Sequence, residues 1–229
     1  MRDRVIRDEI HKDILVPADH AKIIDTKEFQ RLRLIQQLST CEYVFPAANH
    51  NRFSHSLGAY YLAGCVVDSL NDVQPGLVSS GDGELIQLAA LLHDIGHPPF
   101  SHLLETPEVF ATYHSHEHWG RVLLESEDTE VGAALLEVLG IHRRNRLFAL
   151  LDGMTEFDGE PIPPFMKEIV ASQLDVDRMD YMVRDQANTG AQIGGFDIAR
   201  VIRALRAVSY THLRAHETRG NLVCRLLLE

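Results

Sequence analysis

Apolar residues recur every three or four positions through most of the chain, the spacing that places side chains on one face of an α-helix. In the first such segment, residues 19–38, they are Ile23, Ile24, Phe29, Leu32, Leu34, Ile35 and Leu38. The same pattern predicts helices over residues 54–70, 84–95, 115–125, 131–139 and 166–185, and the start of another over 197–207.

Stretches rich in Gly, Pro, Ser and Asn separate these segments and predict loops at residues 44–51, 74–83 and 151–164. Strand-like apolar pairs are confined to the amino-terminal region, at residues 5–6 and 14–15. The predicted fold class is therefore all-α, with a small N-terminal β element.

The composition is that of one globular domain, with 45% hydrophobic and 24% charged residues in a chain of 229. No apolar run reaches the roughly 20 residues that a membrane span needs, and the first residues contain no apolar leader segment. Cys41, Cys65 and Cys224 show neither disulfide nor metal spacing. We therefore expect no membrane partner and a location in the reducing cytoplasm.

The formal net charge of −11 disfavours a nucleic-acid partner, because binding to a phosphate backbone usually needs a basic surface. Histidine is unusually frequent, with 13 residues and a cluster between His93 and His118. Such a run is either surface polarity or part of a metal site, and the spacing of the residues must decide between the two.

His93 and Asp94 end an apolar predicted helix, where polar side chains are costly to bury unless they are paired or bind a metal. Taken alone, such a pair is more often a capping or hydrogen-bonded pair than a metal site. His55 adds a second imidazole near the start of another predicted helix, beside Arg52.

A third element supplies carboxylates. Asp177, Tyr181 and Asp185 are spaced four residues apart and share one face of a predicted helix. This pattern alone fits a solvated helix face. Together with His55 and the His-Asp pair, however, it provides two imidazoles and two carboxylates, a suitable nitrogen and oxygen ligand set for a divalent metal.

The order His55, then His93-Asp94, then Asp177 resembles the H…HD…D signature of the HD superfamily of metal-dependent phosphohydrolases. The chain is similar in particular to the dNTP triphosphohydrolase branch, which comprises the sterile-alpha-motif-and-HD-domain enzyme and its bacterial homologues. The matching stretches are IIDTKEFQRLRLIQQL, YVFPAANHNRFSHSLGAYYLAGCV, LLHDIGHPPFSH and QLDVDRMDYMVRD. The resemblance implies an HD-domain helical bundle that hydrolyses dNTPs to deoxynucleoside and triphosphate.

The resemblance also implies a set of residue roles. One divalent ion (Fe, Mn, Mg or Zn) would be held by the metal ligands His55, His93, Asp94 and Asp177. Proton transfer at the leaving oxygen and contacts to phosphate would fall to His102, Glu105, His116 and His97. For the first three of these residues, a hydrogen bond that only orients a ligand is the open alternative.

The substrate contacts implied by the resemblance divide into two groups. Arg52 and Arg178 would hold phosphate, since a guanidinium suits that geometry. Tyr181 and Asp185 would line the sugar site, where a ring under the 2′ carbon disfavours ribose. Gln37 and Leu38 would meet the base and sugar, with plain core packing as the alternative for Leu38.

Family members are often tetramers that bind regulatory nucleotides between subunits. Asp25 and Arg33 match such a site, whereas Arg7 and Lys12 depart from the usual pattern and leave the effector open. Two other functions remain in contention: hydrolysis of a cyclic, stringent-response or monophosphate nucleotide by another type of HD enzyme, and a non-catalytic nucleotide-sensing module.

The last residues do not follow the pattern of the rest. Residues 208–229, VSYTHLRAHETRGNLVCRLLLE, resemble the translation of a sequencing-library adapter in one reading frame. The alternative is a genuine helix-and-strand tail. We expect this segment to be foreign, and we expect the HD phosphohydrolase domain to occupy residues 1–207 and to continue natively beyond them.

Overall fold

A computed structural model describes residues 2–105, 114–192, 195–208 and 212–215. It begins with an antiparallel hairpin in which β1 (Arg4–Asp8) pairs with β2 (Lys12–Val16). Lys12 takes a left-handed φ of 68° where the turn enters β2. Ile14 and Val16 of β2 point into the core, which anchors the hairpin to the helices.

The segment after the hairpin is helical but not continuous. It forms α1 (Ala18–Ile24), α2 (Lys27–Gln30) and a 3-10 turn (Arg31–Leu34). The prediction of one helix over residues 19–38 was wrong because Thr26 interrupts it. The Thr26 hydroxyl donates to the Ile23 carbonyl at 2.7 Å, which competes with helix continuation.

The longest helices meet at the core. The helix α3 (Arg52–Val73) packs against α4 (Ser80–Leu92), and Asn51 caps the start of α3 by accepting from the Ser54 amide at 3.1 Å. Fully buried side chains of this pair include Leu57, Leu62, Leu70, Leu85, Ile86 and Leu88. A 3-10 turn (Cys41–Tyr43) precedes α3, and another (Ser101–Leu104) follows α4.

Further helices cover this pair. These are α5 (His116–Glu125) and α6 (Glu130–Leu151), the latter kinked at Gly140, where φ is 69°. The predicted loop at residues 151–164 contains a minimal hairpin of β3 (Glu156–Phe157) and β4 (Glu160–Pro161).

The predicted helix at residues 166–185 is two helices, α7 (Pro164–Val170) and α8 (Val176–Thr189). Asp175 starts the second one, because its carboxylate accepts from the Arg178 amide at 2.7 Å. The break lets α8 pack along α3, which brings Asp177 toward His55.

The described chain ends with α9 (Ile198–Ala204) and a hairpin of β5 (Leu205–Val208) with β6 (His212–Ala215). This hairpin enters the segment 208–229 that was predicted to be foreign, most of which lies outside the described residues. None of the helices in the described ranges has the length and apolar character of a membrane span. The predicted all-α class with an N-terminal β element is confirmed.

Candidate metal centre

Three helices bring four predicted side chains together. His55 lies on α3, His93 and Asp94 follow the end of α4, and Asp177 lies in the first turn of α8. His55 Nε2 is 3.0 Å from Asp177 Oδ1 and 3.7 Å from Asp94 Oδ2. His93 Nε2 is 3.3 Å from Asp94 Oδ1 and 3.7 Å from Asp177 Oδ1. We call these four residues the metal-facing set.

The two imidazoles of this set present their Nε2 atoms in a way that fits a metal. Both Nε2 atoms are buried, and neither has a hydrogen-bond partner among the described residues. The ligand atoms of His55, His93 and Asp177 all lie within 4.8 Å of one another. Because an unsatisfied buried nitrogen costs free energy, a cation that accepts both lone pairs would relieve that cost.

The other ring nitrogens are occupied. His93 Nδ1 donates to the Ala90 carbonyl at 2.8 Å, and His55 Nδ1 donates to Asp180 Oδ2 at 2.8 Å. When Nδ1 carries the proton, Nε2 keeps its lone pair, which is the tautomer that ligates a metal.

Charge balance also fits a divalent cation. Burial by itself would lower the pKa of His55, but the contacts with Asp177 and Asp180 raise it to about 10. Burial also opposes protonation of His93, yet Asp94 and Asp177 raise its pKa to about 9. Without a cation, two imidazole protons thus neutralise the carboxylates, and a divalent ion would displace those protons.

A second histidine group adjoins the metal-facing set through Asp94. His97 Nε2 is 3.3 Å from Asp94 Oδ1, and the His97 ring stacks on His116 with centroids 3.8 Å apart. Burial lowers the pKa of His97 to about 4 in spite of Asp94, so this ring is neutral at pH 7. His116 Nδ1 is 3.1 Å from Glu105 Oε1. The side chain of His102 lies outside the described residues.

A cavity of about 560 Å³ opens onto both groups, a size that suits a nucleotide. Of the predicted site residues, those that line it are Gln37, Leu38, Arg52, His93, Asp94, His97, His116, Asp177, Tyr181 and Asp185. Arg52 is buried and hydrogen-bonded to Asp94 Oδ2. Leu38 is half-buried at the wall, so it contributes both to packing and to the cavity surface.

The remaining predicted residues lie elsewhere. Arg178 is half-exposed, and its Nε donates to the Ser172 carbonyl at 3.1 Å. Asp25 accepts two hydrogen bonds from the Arg4 guanidinium, one of them at 2.6 Å. The Arg33 guanidinium lies over the Phe53 ring at 3.5 Å. Both predicted regulatory residues thus have partners within the chain.

A buried group of charges behind His55 was missed by the sequence analysis. Asp180 and Arg184 are both fully buried on α8, and they contact Asp8 and His11 of the N-terminal hairpin. We call Asp8, His11, Asp180 and Arg184 the rear cluster. The four-residue spacing of Asp180 and Arg184 signals an ion pair within a helix, but no local pattern marks Asp8 or His11.

His50 is a second residue that the sequence analysis missed. Its Nε2 is 2.8 Å from Asp185 Oδ1, and both residues are buried. The contact orients the Asp185 carboxylate at the cavity wall. His50 lies in the predicted loop before α3. The only sequence signal that distinguishes it is its position next to Asn51 and Arg52.

The family model of the HD domain matches residues 52–185, more than half of the chain. The chain therefore belongs to the HD domain family. The resemblance inferred from the motifs is thereby confirmed, and it extends to curated and solved relatives.

The chain is 38% identical over 228 residues to deoxynucleoside triphosphate triphosphohydrolase SAMHD1 of Homo sapiens, covering 89% of this chain and 36% of that protein. It is 37% identical over 202 residues to an uncharacterized protein of Methanocaldococcus jannaschii, covering 88% of this chain and 38% of that protein. A phosphohydrolase from Bacteroides thetaiotaomicron superposes with a TM-score of 0.77 and 31% identity over 92% of this chain and 48% of that one. This chain spans about two fifths of the length of these curated relatives.

Proposed function

We propose that this protein is a metal-dependent phosphohydrolase that cleaves dNTPs to deoxynucleoside and inorganic triphosphate. The observation that carries the proposal is the convergence of the His55 and His93 Nε2 atoms, neither hydrogen-bonded within the described chain, with Asp94 and Asp177 at the wall of a nucleotide-sized cavity. The choice of dNTPs over other nucleotides rests on similarity to SAMHD1 and on the four matching motifs.

A divalent cation in the metal-facing set would acidify water and withdraw electron density from phosphorus. The chain supplies the rest. Arg52, buried beside Asp94, binds a phosphate oxygen with its guanidinium. His116, hydrogen-bonded to Glu105, passes a proton to the departing 5′ oxygen. His97 is neutral at pH 7 and donates a hydrogen bond to phosphate without adding charge.

Other residues of the cavity wall suit a deoxynucleoside. Tyr181 and Asp185 line the cavity one helical turn apart on α8, and His50 fixes the carboxylate of Asp185. Gln37 Oε1 is buried without a hydrogen-bond partner among the described residues, so it offers an acceptor to a base or sugar. The Tyr181 ring excludes a 2′ hydroxyl.

The test is product identification with the full chain loaded with Mn²⁺ and supplied with each dNTP and with GTP. Inorganic triphosphate and deoxynucleoside, with ¹⁸O from labelled water recovered in the triphosphate, support the proposal. Orthophosphate, or turnover of a cyclic nucleotide instead, favours another HD phosphohydrolase. No turnover of any nucleotide, even with added activating nucleotides, favours a sensing module.

Regulation and assembly are separate parts of the proposal. We expect a cytoplasmic homo-oligomer, with a tetramer as the full-length form, and a nucleotide effector at Asp25 and Arg33. Because Asp25 is bound by Arg4 within the chain, an effector that uses this carboxylate must first displace that guanidinium. Equilibrium dialysis with radiolabelled GTP or dATP, on Arg4→Ala beside the unsubstituted protein, tests this directly.

A further inference from the structure

We propose that Asp180 is a positioning residue for the metal centre, and that the N-terminal hairpin holds it in place through Arg184. This inference rests on the metal centre of the proposed function. It concerns residues outside the ligand set and a hairpin outside the matched family region.

Asp180 contacts His55 on the side opposite the metal-facing set. Asp180 Oδ2 accepts from His55 Nδ1 at 2.8 Å, and neither side chain is exposed to solvent. Arg184 donates to both carboxylate oxygens of Asp180, from Nε and Nη2, each at 2.9 Å. His11 Nε2 lies 2.6 Å from the remaining face of Oδ1. The carboxylate is therefore fixed from three directions.

This arrangement determines the state of the His55 ring. A carboxylate can only accept, so it holds a proton on Nδ1, and the Nε2 lone pair is the one left for a cation that displaces the second proton. The same hydrogen bond fixes the plane of the His55 ring, because the side chains of His55 and Asp180 are both fully buried. Partners of this kind raise the basicity of a metal-ligating imidazole and fix its direction.

The anchoring continues to the turn of the N-terminal hairpin. Arg184 Nη1 donates to Asp8 Oδ2 at 3.0 Å, and Nη2 lies 3.3 Å from Asp8 Oδ1. Asp8 Oδ1 in turn accepts from the amides of Ile10 at 2.9 Å and His11 at 2.8 Å, which shapes the turn. Asp8 and Arg184, which are far apart in sequence, thus hold the His55 ring in place through Asp180.

The backbone of α3 makes room for the contact. A Cβ placed on Gly58 would lie 1.8 Å from Asp180 Oδ1 and 2.6 Å from Arg184 Nη2. Only glycine at position 58 therefore lets α8 approach α3 closely enough for Asp180 to reach His55. His55 lies on α3 as well, one turn before Gly58.

The experiment measures the Mn²⁺ dissociation constant of the metal-stripped full chain from the electron paramagnetic resonance signal of free Mn²⁺. In Asp180→Asn, one acceptor becomes an NH₂ group, which cannot accept both the His55 and Arg184 protons. We expect the dissociation constant to rise about 10- to 100-fold, the usual effect of losing such a partner. Asp8→Asn leaves the Asp180–His55 contact in place, and we expect a smaller rise.

The matched control is Arg146→Met. It removes a buried arginine that pairs with Asp82 at 3.2 Å and Glu160 at 3.3 Å, so it should lower the melting temperature without changing Mn²⁺ affinity. An equal rise in this control would overturn the positioning role, as would unchanged affinity in folded Asp180→Asn.

Should Asp180→Asn fail to fold, Asp8→Asn decides, and unchanged affinity there overturns the proposal. Absence of Mn²⁺ binding by the unsubstituted protein would instead overturn the metal centre itself, together with everything built on it. The two failures are therefore distinguishable.

Discussion

The metal-facing set and the rear cluster lie on opposite sides of the His55 ring. Both combine aspartate with histidine, and the rear cluster adds the guanidinium of Arg184. In the rear cluster, each carboxylate of Asp8 and Asp180 accepts hydrogen bonds from Arg184. In the metal-facing set, Asp177 and two imidazoles stand together, and the imidazole Nε2 atoms find no hydrogen-bond partner in the described chain. The rear cluster is almost fully buried, whereas the His93 and Asp177 side chains are 17% and 34% exposed where they line the cavity. A difference in exposure does not by itself mark a metal ligand.

What separates the two groups is satisfaction of hydrogen bonds. A buried ion network whose members pair with each other can stand without a ligand, whereas buried nitrogens facing carboxylates require protons or a cation. Substitutions on the two sides of His55 should therefore differ in their main effect: those in the metal-facing set should weaken metal binding most, and those in the rear cluster should cost most in stability.

The largest expected effect is on the metal side. His93→Ala removes one of the two Nε2 atoms, and we expect Mn²⁺ affinity to fall by more than about 100-fold, beyond the loss typical of outer partners. Triphosphate release should disappear with it. The melting temperature of the metal-free variant should also fall at neutral pH. The substitution removes the hydrogen bond to the Ala90 carbonyl and the protonated ring, whose pKa Asp94 and Asp177 raise to about 9 against the effect of burial. Metal titration and calorimetry on one preparation check both parts, and a variant that retains tight Mn²⁺ binding would contradict the assignment.

The next effect belongs to the rear cluster. Arg184→Met leaves the carboxylates of Asp8 and Asp180 buried without their cation, and we expect unfolding to become easier by about 3–5 kcal/mol. Urea denaturation of the metal-free protein measures this. Arg178→Met on the same helix is the control, since this half-exposed residue should change stability by no more than about 0.5 kcal/mol. Equal losses of stability in Arg184→Met and Arg178→Met would contradict the special role of the buried arginine.

A smaller effect should come from the contact between α3 and α8. Gly58→Ala forces a methyl group against the Asp180 carboxylate, and we expect a loss of about 1–3 kcal/mol. Gly64→Ala on the same helix is the matched control, because its Cβ would meet only the flexible end of Gln87, at 2.4 Å. Urea titrations of the two variants should diverge, and a neutral Gly58→Ala would show that the helices can separate freely.

The most gradual effect is a pH dependence confined to the metal-facing set. In the metal-free protein, burial disfavours protonated His55 and His93, but nearby carboxylates raise their pKa values to about 10 and about 9. The stabilisation from these raised pKa values is complete below the ordinary value of 6.5 and is lost as pH rises through 9 to 10. Metal-free stability should therefore decline with rising pH.

Mn²⁺ affinity should change in the opposite direction. Each imidazole must release its proton to bind metal, so affinity should rise by up to about tenfold per pH unit for each displaced proton. Anaerobic titrations between about pH 6.5 and about pH 8.5 test this. Affinity that stays flat would mean that the imidazoles are already neutral without metal.

The sequence predicted the helical class and the metal-facing set because both leave local signals. Apolar spacing marks helices, and His93-Asp94 interrupts an apolar run. Helix breaks were harder to predict, because the apolar pattern continues through Thr26 and again before Asp175. The Thr26 hydroxyl donates to the backbone where one helix ends, and the Asp175 carboxylate accepts from the backbone where another begins. Patterning records which face is buried but not where a side chain competes with the backbone.

The rear cluster could not be found from the sequence, for a different reason. Asp180 and Arg184 read as one more pair of charges on a helix rich in them. Their burial depends on the approach of the N-terminal hairpin, a contact between residues nearly the whole chain apart. Such a contact has no local pattern, because it arises from packing and not from spacing.

The salt bridge between Asp8 and Arg184 bears on how the protein can be dissected. A fragment cut to the matched family region, residues 52–185, would keep every residue of the metal-facing set but would leave Arg184 facing the vacated place of a carboxylate. An affinity tag or deletion that deforms the first hairpin would reach the same guanidinium. For biochemical work, the amino terminus is therefore the end to leave intact.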